Sequence, residues 1–261
     1  MSGMIRVERE GSTAHLVIDY RQRRNALTLS MWAGIERAFK VMSEERTVRA
    51  IVVHGEGDHF AAGADMSEFA THWETEAKAQ AAADQLARAT AAIEACSKPV
   101  IAAIEGSCMG AGLSIATAAD IRVVASGAKF ALPPAKIGAS YPYSDLRRLV
   151  GLVGQGPARD LMLSARVMDA REAERVGLVS RPVEDRQTLA VATQIAEEIA
   201  ALSPWALSAA KTMLNTIASG ASIEPQAMRD LQVSGFASAE FKEGYTAFLE
   251  KRKPDFSGSG D

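Results

Sequence analysis

PVIAAIEGSCMGAGLS, residues 99–114, decides how this chain is read. Pro99–Ile104 is an unbroken run of small and β-branched apolar residues, the pattern of a strand buried on both faces. Gly106, Gly110 and Gly112 then punctuate a turn, and small residues continue as a helix to about Ala118. Small side chains let a ligand approach the backbone, and a helix start leaves N–H groups without intrahelical acceptors. An earlier stretch has the same logic: the strand-like Arg49–His54 (RAIVVH) ends at Gly55 and Gly57 and is followed by His59–Met66, HFAAGADM. Taken alone, each turn is better explained by close packing. Set side by side, the two would aim two N–H donors at one oxygen, as an oxyanion hole requires.

Outward from these turns, Ala14–Asp19 (AHLVID) reads as a strand between Gly11 and the basic loop RQRRN. Thr28–Ser43 has helical periodicity, with Leu29, Trp32, Ile35, Ala38, Phe39 and Met42 on one stripe. Met66–Ala95, rich in Ala, Glu and Gln, predicts one or two helices, and Ile121–Ala125 and Lys129–Leu132 predict strands. Strands alternating with helices imply an α/β layered architecture. After about residue 140 the pattern turns almost wholly helical, over 145–164, 169–176, 185–202, 204–218, 222–233 and 237–252. Pro204 at a first-turn position and Gly220 just past an end mark boundaries there. A helical tail on an α/β core suggests a lid or an oligomerisation layer. The final SGSGD is expected to be disordered.

The 261 residues are 48% hydrophobic and 23% charged, enough for one domain with a substantial core or a core plus a small appendage. A formal net charge of −3 with scattered basic residues gives no footprint for nucleic acid or an anionic membrane. Charges interrupt every apolar run before the ~18 residues of a membrane span. The opening MSGMIRVEREG lacks the apolar segment of a secretory signal, so a cytoplasmic protein is expected. Cys96 and Cys108 are read as reduced thiols. His15, His54, His59 and His72 lack ligand spacing, and no metal is expected.

Five segments in order make the chain resemble the crotonase (enoyl-CoA hydratase/isomerase) superfamily over nearly its whole length. They are RNAL at Arg24–Leu27, FAAGADM at Phe60–Met66, GSCMGAG at Gly106–Gly112 with Ala118–Asp120 beyond it, AREAERVGLV at Ala170–Val179, and FKEGYTAFLEKRKPDF at Phe241–Phe256. The resemblance implies a ClpP/crotonase-like α/β spiral of ββα turns over residues 1–200. It implies a C-terminal helical region over 201–261 that builds a homotrimer or a dimer of trimers. The implied substrate is an acyl-CoA thioester, with no separate cofactor because coenzyme A is part of the substrate. The implied oxyanion hole is made by the N–H groups of Ala64 and Ala111, the latter standing where glycine is commoner. Arg24, Ala26 and Leu27 match the stretch that lines the CoA nucleotide and pantetheine, and Ala62, Asp65 and Met66 match the floor around the adenine and thioester. Met109, Gly110, Ser114, Pro133 and Pro134 are further positions expected to meet substrate, and Lys251 lies in a helix that in relatives reaches a neighbouring subunit's CoA. For Asp65 and Asp120, capping or structural hydrogen bonding is expected ahead of catalysis.

Hydratases of this family use two glutamates as base and acid, and here those positions hold Ser114 and Pro134. Each such group is worth about 10²–10⁴-fold, so little hydratase activity is expected, while the enolate-stabilising half of the machinery remains. The next stretch, Ala135–Leu149 (AKIGASYPYSDLRRL), resembles the methylmalonyl-CoA decarboxylase branch, which also has proline at the second glutamate position and tyrosine where Tyr141 stands. Glu105–Ser107 (EGS) is shared with that branch, whereas Ala64 departs from it, since a larger polar residue stands there. A departing carboxylate supplies its own electrons, and the thioester oxygen takes them up without a base. Decarboxylation of a short malonyl-type CoA is therefore expected first, isomerisation second and hydration third. Tyr141 would orient the carboxylate or pass a proton to the enolate. Tyr143 and Asp145 could support it, or Asp145 could itself be the acid, although SDLRR reads more naturally as an N-cap serine with first-turn acidic charge.

Two other classes fit parts of the pattern. G-x-x-x-G-x-G at Gly106–Gly112 resembles a nicotinamide dehydrogenase fingerprint, but it lies past residue 100, and Arg147 stands where that chemistry needs a lysine after Tyr143. A non-catalytic acyl-CoA binder is suggested by the missing glutamates, and turnover of any acyl-CoA separates it from an enzyme.

Overall fold

A computed structural model describes residues 2–256 and Gly258 of the chain. It opens with an antiparallel hairpin, β1 (Met4–Glu10) and β2 (Thr13–Asp19), turned at Gly11. β1 was not among the expected strands. Its charges hide the alternation of Ile5 and Val7, and a sheet edge tolerates them in solvent, where Arg6 pairs with Asp19 and Glu56. α1 (Leu29–Glu44) starts where the Thr28 hydroxyl accepts from the Met31 N–H at 3.2 Å, and it buries Met31, Trp32, Ile35, Phe39 and Met42. β3 (Ala50–Gly55) leads into the first glycine turn, followed by α2 (Phe69–His72) and α3 (Glu76–Ala95). The second repeat of this pattern is β4 (Val100–Ile104), β5 (Ser107–Met109) and α4 (Ala111–Ala118), and then come β6 (Ile121–Ala125) and β7 (Lys129–Ala131).

The expected 145–164 helix is two helices, α5 (Tyr143–Val153) and α6 (Gln155–Ser164), because Gly154 adopts φ 76°, which ends an α-helix. The N-cap of α5 is Pro142 rather than Ser144, and Asp145 lies in the first turn. β8 (Val167–Asp169), α7 (Ala170–Arg175) and β9 (Arg181–Val183) follow. The two strands have three residues each, too few to show a period in sequence. The remainder is α8 (Thr188–Ala200), α9 (Pro204–Ala218), α10 (Gln226–Gly235) and α11 (Ala239–Glu250). Pro204 sits in the first turn behind the N-cap Ser203, as its fixed φ favours. SGSGD, apart from Gly258, lies outside the described residues.

The larger sheet has the order β1-β2-β3-β4-β6-β9, parallel throughout except for the β1–β2 pair. The smaller sheet, β5-β7-β8, takes β5 and β7 directly after β4 and β6 of the larger one, and β8 joins β7 antiparallel. The chain thus steps from sheet to sheet and returns through a helix, an α/β spiral. Its main core gathers Trp32, Phe39, Phe60 and Phe130, all fully buried. A second, smaller core forms where α8 lays Ala192 and Ala196 on Ala50, Val52, Ile101, Ala103 and Val123. β3 and β4 each lead into one of the glycine turns, above the main core. The C-terminal helices leave Leu214, Ile217, Val233, Phe236, Phe241, Tyr245, Phe248 and Leu249 exposed. Among the described residues no helix is long and apolar enough to cross a membrane.

Candidate active site

The two glycine turns run side by side in register. The Ala61 N–H donates to the Ser107 carbonyl (2.9 Å) and the Met109 N–H to the Ala61 carbonyl (3.0 Å), a parallel bridge that sets Ala61 against Cys108. Ala64 and Ala111 each stand three residues beyond that pairing. On the opposite side the Leu27 N–H donates to the Gly63 carbonyl (2.8 Å) and the Asp65 N–H to the Leu27 carbonyl (2.9 Å). A residue straddled by such bonds directs its own N–H away from the partner strand, so the Ala64 N–H faces away from Leu27. The turns touch: a Cβ built on Gly110 would lie 4.0 Å from the Gly63 Cα. Ala111 opens α4 behind Gly110, whose φ of 46° swings the chain into the helix and leaves the Ala111 N–H without an intrahelical partner. Among the described residues, neither the Ala64 nor the Ala111 N–H has a hydrogen-bond acceptor.

Several groups fix this arrangement, and sequence reasoning passed over most of them. Asn25, fully buried at φ 58°, accepts from the Tyr20 N–H (3.0 Å) and donates to the carbonyls of Glu56 (3.0 Å) and His59 (2.6 Å). It thereby clamps the RNAL segment to the first turn. The only hint in the sequence is an asparagine in a tight basic loop, a residue that tolerates the left-handed region. His59 Nδ1 accepts from the Ser107 N–H (3.1 Å) and so ties one turn to the other. At the far end of α4, buried Arg122 donates to the carbonyls of Ala119 (2.7 Å), Ala116 (3.4 Å) and Leu178 (2.8 Å). Burial lowers its pKa to about 10, partly opposed by Asp120, so it stays charged at neutral pH and closes the carbonyl end of the helix.

Beneath the second turn lies a polar cluster. The Tyr141 hydroxyl donates to the Gly110 carbonyl at 2.9 Å and lies 2.6 Å from Ser114 Oγ. Burial raises the Tyr141 pKa, and the Asp145 carboxylate adds to the effect, so the phenol keeps its proton. Asp145 is itself buried, which raises its pKa despite the Ser114 hydroxyl and the Arg148 guanidinium 2.6 Å away. Arg148 also reaches Glu94 at 2.7 Å, and Arg147 bonds the other Glu94 oxygen at 2.7 Å.

The structure places the remaining expected residues as follows. Arg24 is exposed at φ 50°, and its carbonyl accepts from the Ala62 N–H at 2.9 Å, so Arg24–Leu27 lies against residues 62–66. Ala26, Ala62, Met109 and Gly110 are half-buried, Leu27 is buried, and Met66 is exposed. Pro133 and Pro134 follow β7, whose Ala131 carbonyl accepts from the Gly110 N–H (2.9 Å), and Pro134 opens a 3₁₀ turn. Lys251 is exposed in a left-handed conformation at the end of α11. Asp65 caps a 3₁₀ turn by accepting from the Ser67 N–H (3.0 Å), and Asp120 accepts from the Val100 N–H (2.7 Å) and Lys211 Nζ (2.7 Å), so both have structural partners. Tyr143 is 85% exposed, against the possibility that it supports Tyr141; it is the first residue of α5, whose N-cap Pro142 lies two residues before the Ser144 suggested by the sequence. A cavity of about 520 Å³ lined by His54, Glu56, Asp58, Glu105, Asp185 and Arg186 lies on the other side of these loops. Glu56, Glu105 and Asp185 are already bonded to Arg6, Thr188 and Gly127, so it offers few free groups for chemistry.

Comparison with known proteins agrees with this layout. Residues 8–259 match the family model described as enoyl-CoA hydratase/isomerase. A crotonyl-CoA hydratase of Syntrophomonas wolfei is 35% identical over 256 residues, covering 96% of each chain. A 2,3-dehydroadipyl-CoA hydratase of Escherichia coli is 32% identical, covering 99% of this chain and all of its own. The crystal structure of an enoyl-CoA hydratase/isomerase family protein of Hyphomonas neptunium superposes with a TM-score of 0.93 at 43% identity, covering 97% of each chain.

Proposed function

This chain belongs to the enoyl-CoA hydratase/isomerase family and has its crotonase-like α/β fold, and from that premise we propose that it acts on an acyl-CoA thioester through an enolate held by the N–H groups of Ala64 and Ala111. One observation carries the reading: two unengaged amides occupy equivalent places on two turns that are hydrogen-bonded to each other. A thioester oxygen received there gains charge as the enolate forms, and each preorganised donor is worth on the order of 3 kcal/mol. The start of α4 adds the positive end of its dipole. Arg24, Ala26, Leu27, Ala62 and Met66 border the same turns and serve as the bed of the CoA chain. Lys251 acts from a neighbouring subunit of a homotrimer or dimer of trimers, an assembly supported by the apolar side chains that the C-terminal helices expose.

Among the reactions, decarboxylation of a short malonyl-type CoA is placed first. The Ser114 hydroxyl is engaged with Tyr141, Pro134 has no titratable group, and the nearest carboxylate, Asp145, is bonded to Arg148. In this reaction the bond from the α-carbon to its carboxylate breaks, CO₂ leaves, and the electron pair passes into the enolate. A proton taken from solvent water then reaches the α-carbon in place of the lost carboxylate. An apolar, hydroxyl-bearing wall favours neutral CO₂ over the carboxylate it comes from. A second reading, hydration or isomerisation, is favoured by the hydratase names of the relatives and by buried Asp145, where burial raises the pKa and favours the protonated acid. Incubation with methylmalonyl-CoA and, separately, crotonyl-CoA tests the order. Faster loss of methylmalonyl-CoA supports it, equal or faster hydration reverses it, and turnover of no acyl-CoA at all leaves only a binding protein.

A further inference from the structure

Gly110 and Ala111 share one peptide unit, with the carbonyl at one end and the candidate N–H donor at the other. That carbonyl accepts twice, from the Ser114 N–H (3.1 Å) and from the Tyr141 hydroxyl (2.9 Å). A carbonyl cannot donate, so the 2.9 Å contact is a donation by the phenol, whose oxygen also lies 2.6 Å from Ser114 Oγ in a pair where either hydroxyl can be the donor. The bond from Tyr141 to Gly110 continues through the peptide unit and out at the Ala111 N–H. Hydrogen bonds in series strengthen one another by roughly 10–30% each. Donors placed on an amide oxygen draw density from its nitrogen and make its N–H the better donor. The first turn lacks this device. The carbonyl at the far end of the Ala64 amide, that of Gly63, receives the Leu27 N–H, an ordinary backbone donor at 2.8 Å.

We propose that Tyr141 is a positioning residue for the oxyanion hole, holding and polarising the 110–111 amide so that Ala111 is the stronger of the two donors. The inference rests on the reading that both amides receive a thioester oxygen. It gives Tyr141 a task that needs no contact with substrate and that is finished before the reaction begins. It also explains a hydroxyl placed against backbone instead of projecting freely toward the acyl group.

The test uses the full chain and an unreactive chromophoric thioester, 4-(dimethylamino)cinnamoyl-CoA, whose absorption moves to the red when its carbonyl is polarised. The wild-type protein should shift the bound probe. Tyr141→Phe should shift it distinctly less while binding it with similar affinity, and should lower kcat on the order of tenfold with KM little changed, a fraction of the ~100- to 1000-fold cost of deleting a donor outright. Site-specific 3-fluorotyrosine at position 141, a stronger donor of nearly the same shape, should increase the shift. If Tyr141→Phe does not fold, the fluorinated protein decides alone. An unchanged shift in either variant, or a smaller one with fluorotyrosine, overturns the proposal and leaves the oxyanion hole standing. A bound probe that shows no shift in the wild-type protein overturns both readings together.

Discussion

Asp145 and Arg148, one turn apart on α5, are bonded at 2.6 Å with both side chains almost wholly buried. The same guanidinium reaches Glu94 on α3, which also pairs with Arg147, so Arg148 links two carboxylates behind the second turn. Burying charge is costly unless it is paired, and removing one partner leaves the other stranded. Arg148→Met should therefore destabilise the fold by about 3–5 kcal/mol, read as a lower urea midpoint.

The two carboxylates respond to pH with opposite sign. Burial raises the pKa of Asp145, so the folded chain binds that proton more tightly than the unfolded chain does. Its contribution is favourable below the ordinary aspartate value of about 3.9 and is lost as pH rises through the folded value. Burial also acts to raise the pKa of Glu94, but Arg148 and Arg147 outweigh it and the net shift is downward. The Glu94 contribution is present above the ordinary glutamate value of about 4.3 and disappears as pH falls through the depressed one. Relative to wild type, Asp145→Asn should gain stability as pH rises above about 4. Glu94→Gln should lose it as pH rises toward about 4.3 from below and keep a constant deficit above that. Urea titrations at several pH values check both signs, and parallel curves for either variant would refute the assignment.

Gly112 packs directly against the first turn. A Cβ there would fall 2.6 Å from the Ala61 carbonyl oxygen, which is the acceptor of the bridging Met109 N–H. Gly112→Ala should force the turns apart by a fraction of an ångström to about 1 Å, and displacements of that size cost up to ~100-fold in rate. kcat should fall by at least about tenfold while the thermal midpoint drops only modestly, because the strain is local. Steady-state kinetics beside a melting curve distinguish this from general unfolding.

The alternation of buried strands and helices was legible from sequence because Ala14–Asp19, Arg49–His54 and Pro99–Ile104 are buried along most of their length and keep charge to their ends, at Asp19 and Arg49. β1 was missed because an edge strand keeps Arg6, Glu8 and Glu10 in solvent, and β5 because three residues inside a glycine loop show no period. The glycine turns themselves announced a close backbone approach, but their relative register did not. That depends on the pairing of Ala61 with Cys108 across 47 residues, which no local signal encodes. Asn25 and His59 escaped for the same reason, since each acts on a carbonyl or N–H far along the chain. Asp145 was read as first-turn acidic charge, where it does lie, but its pairing with Arg148 was not legible, since an acid in a first turn looks the same whether it faces water or a buried guanidinium.

Asn25 offers a direct check on how the first turn is held. Asn25→Asp keeps the shape and the acceptor for the Tyr20 N–H but replaces two donations with a charge facing the carbonyls of Glu56 and His59. Losing the two bonds and stranding a buried charge should cost about 3 kcal/mol or more. Lowering the pH should recover part of the loss, since a protonated carboxyl can donate once. Recovery below about pH 5, followed by urea denaturation, is the expected result.

The N–H of Ala64 can be removed without breaking any hydrogen bond that shapes its loop. The Leu27 bridge runs through the Gly63 carbonyl and the Asp65 N–H, and the Ala64 N–H has no acceptor among the described residues. If that amide existed only for structure, Ala64→Pro would change stability and activity together, or neither. If it is a donor to developing charge, the substitution should lower kcat by about 100- to 1000-fold and leave the helix content and urea midpoint close to wild type. Ground-state affinity for an unreactive acyl-CoA should fall far less than kcat, because charge on the thioester oxygen grows chiefly toward the transition state. A variant that folds normally and turns over at the wild-type rate would show that this amide takes no part in the chemistry, since nothing else at that position could take over its proton.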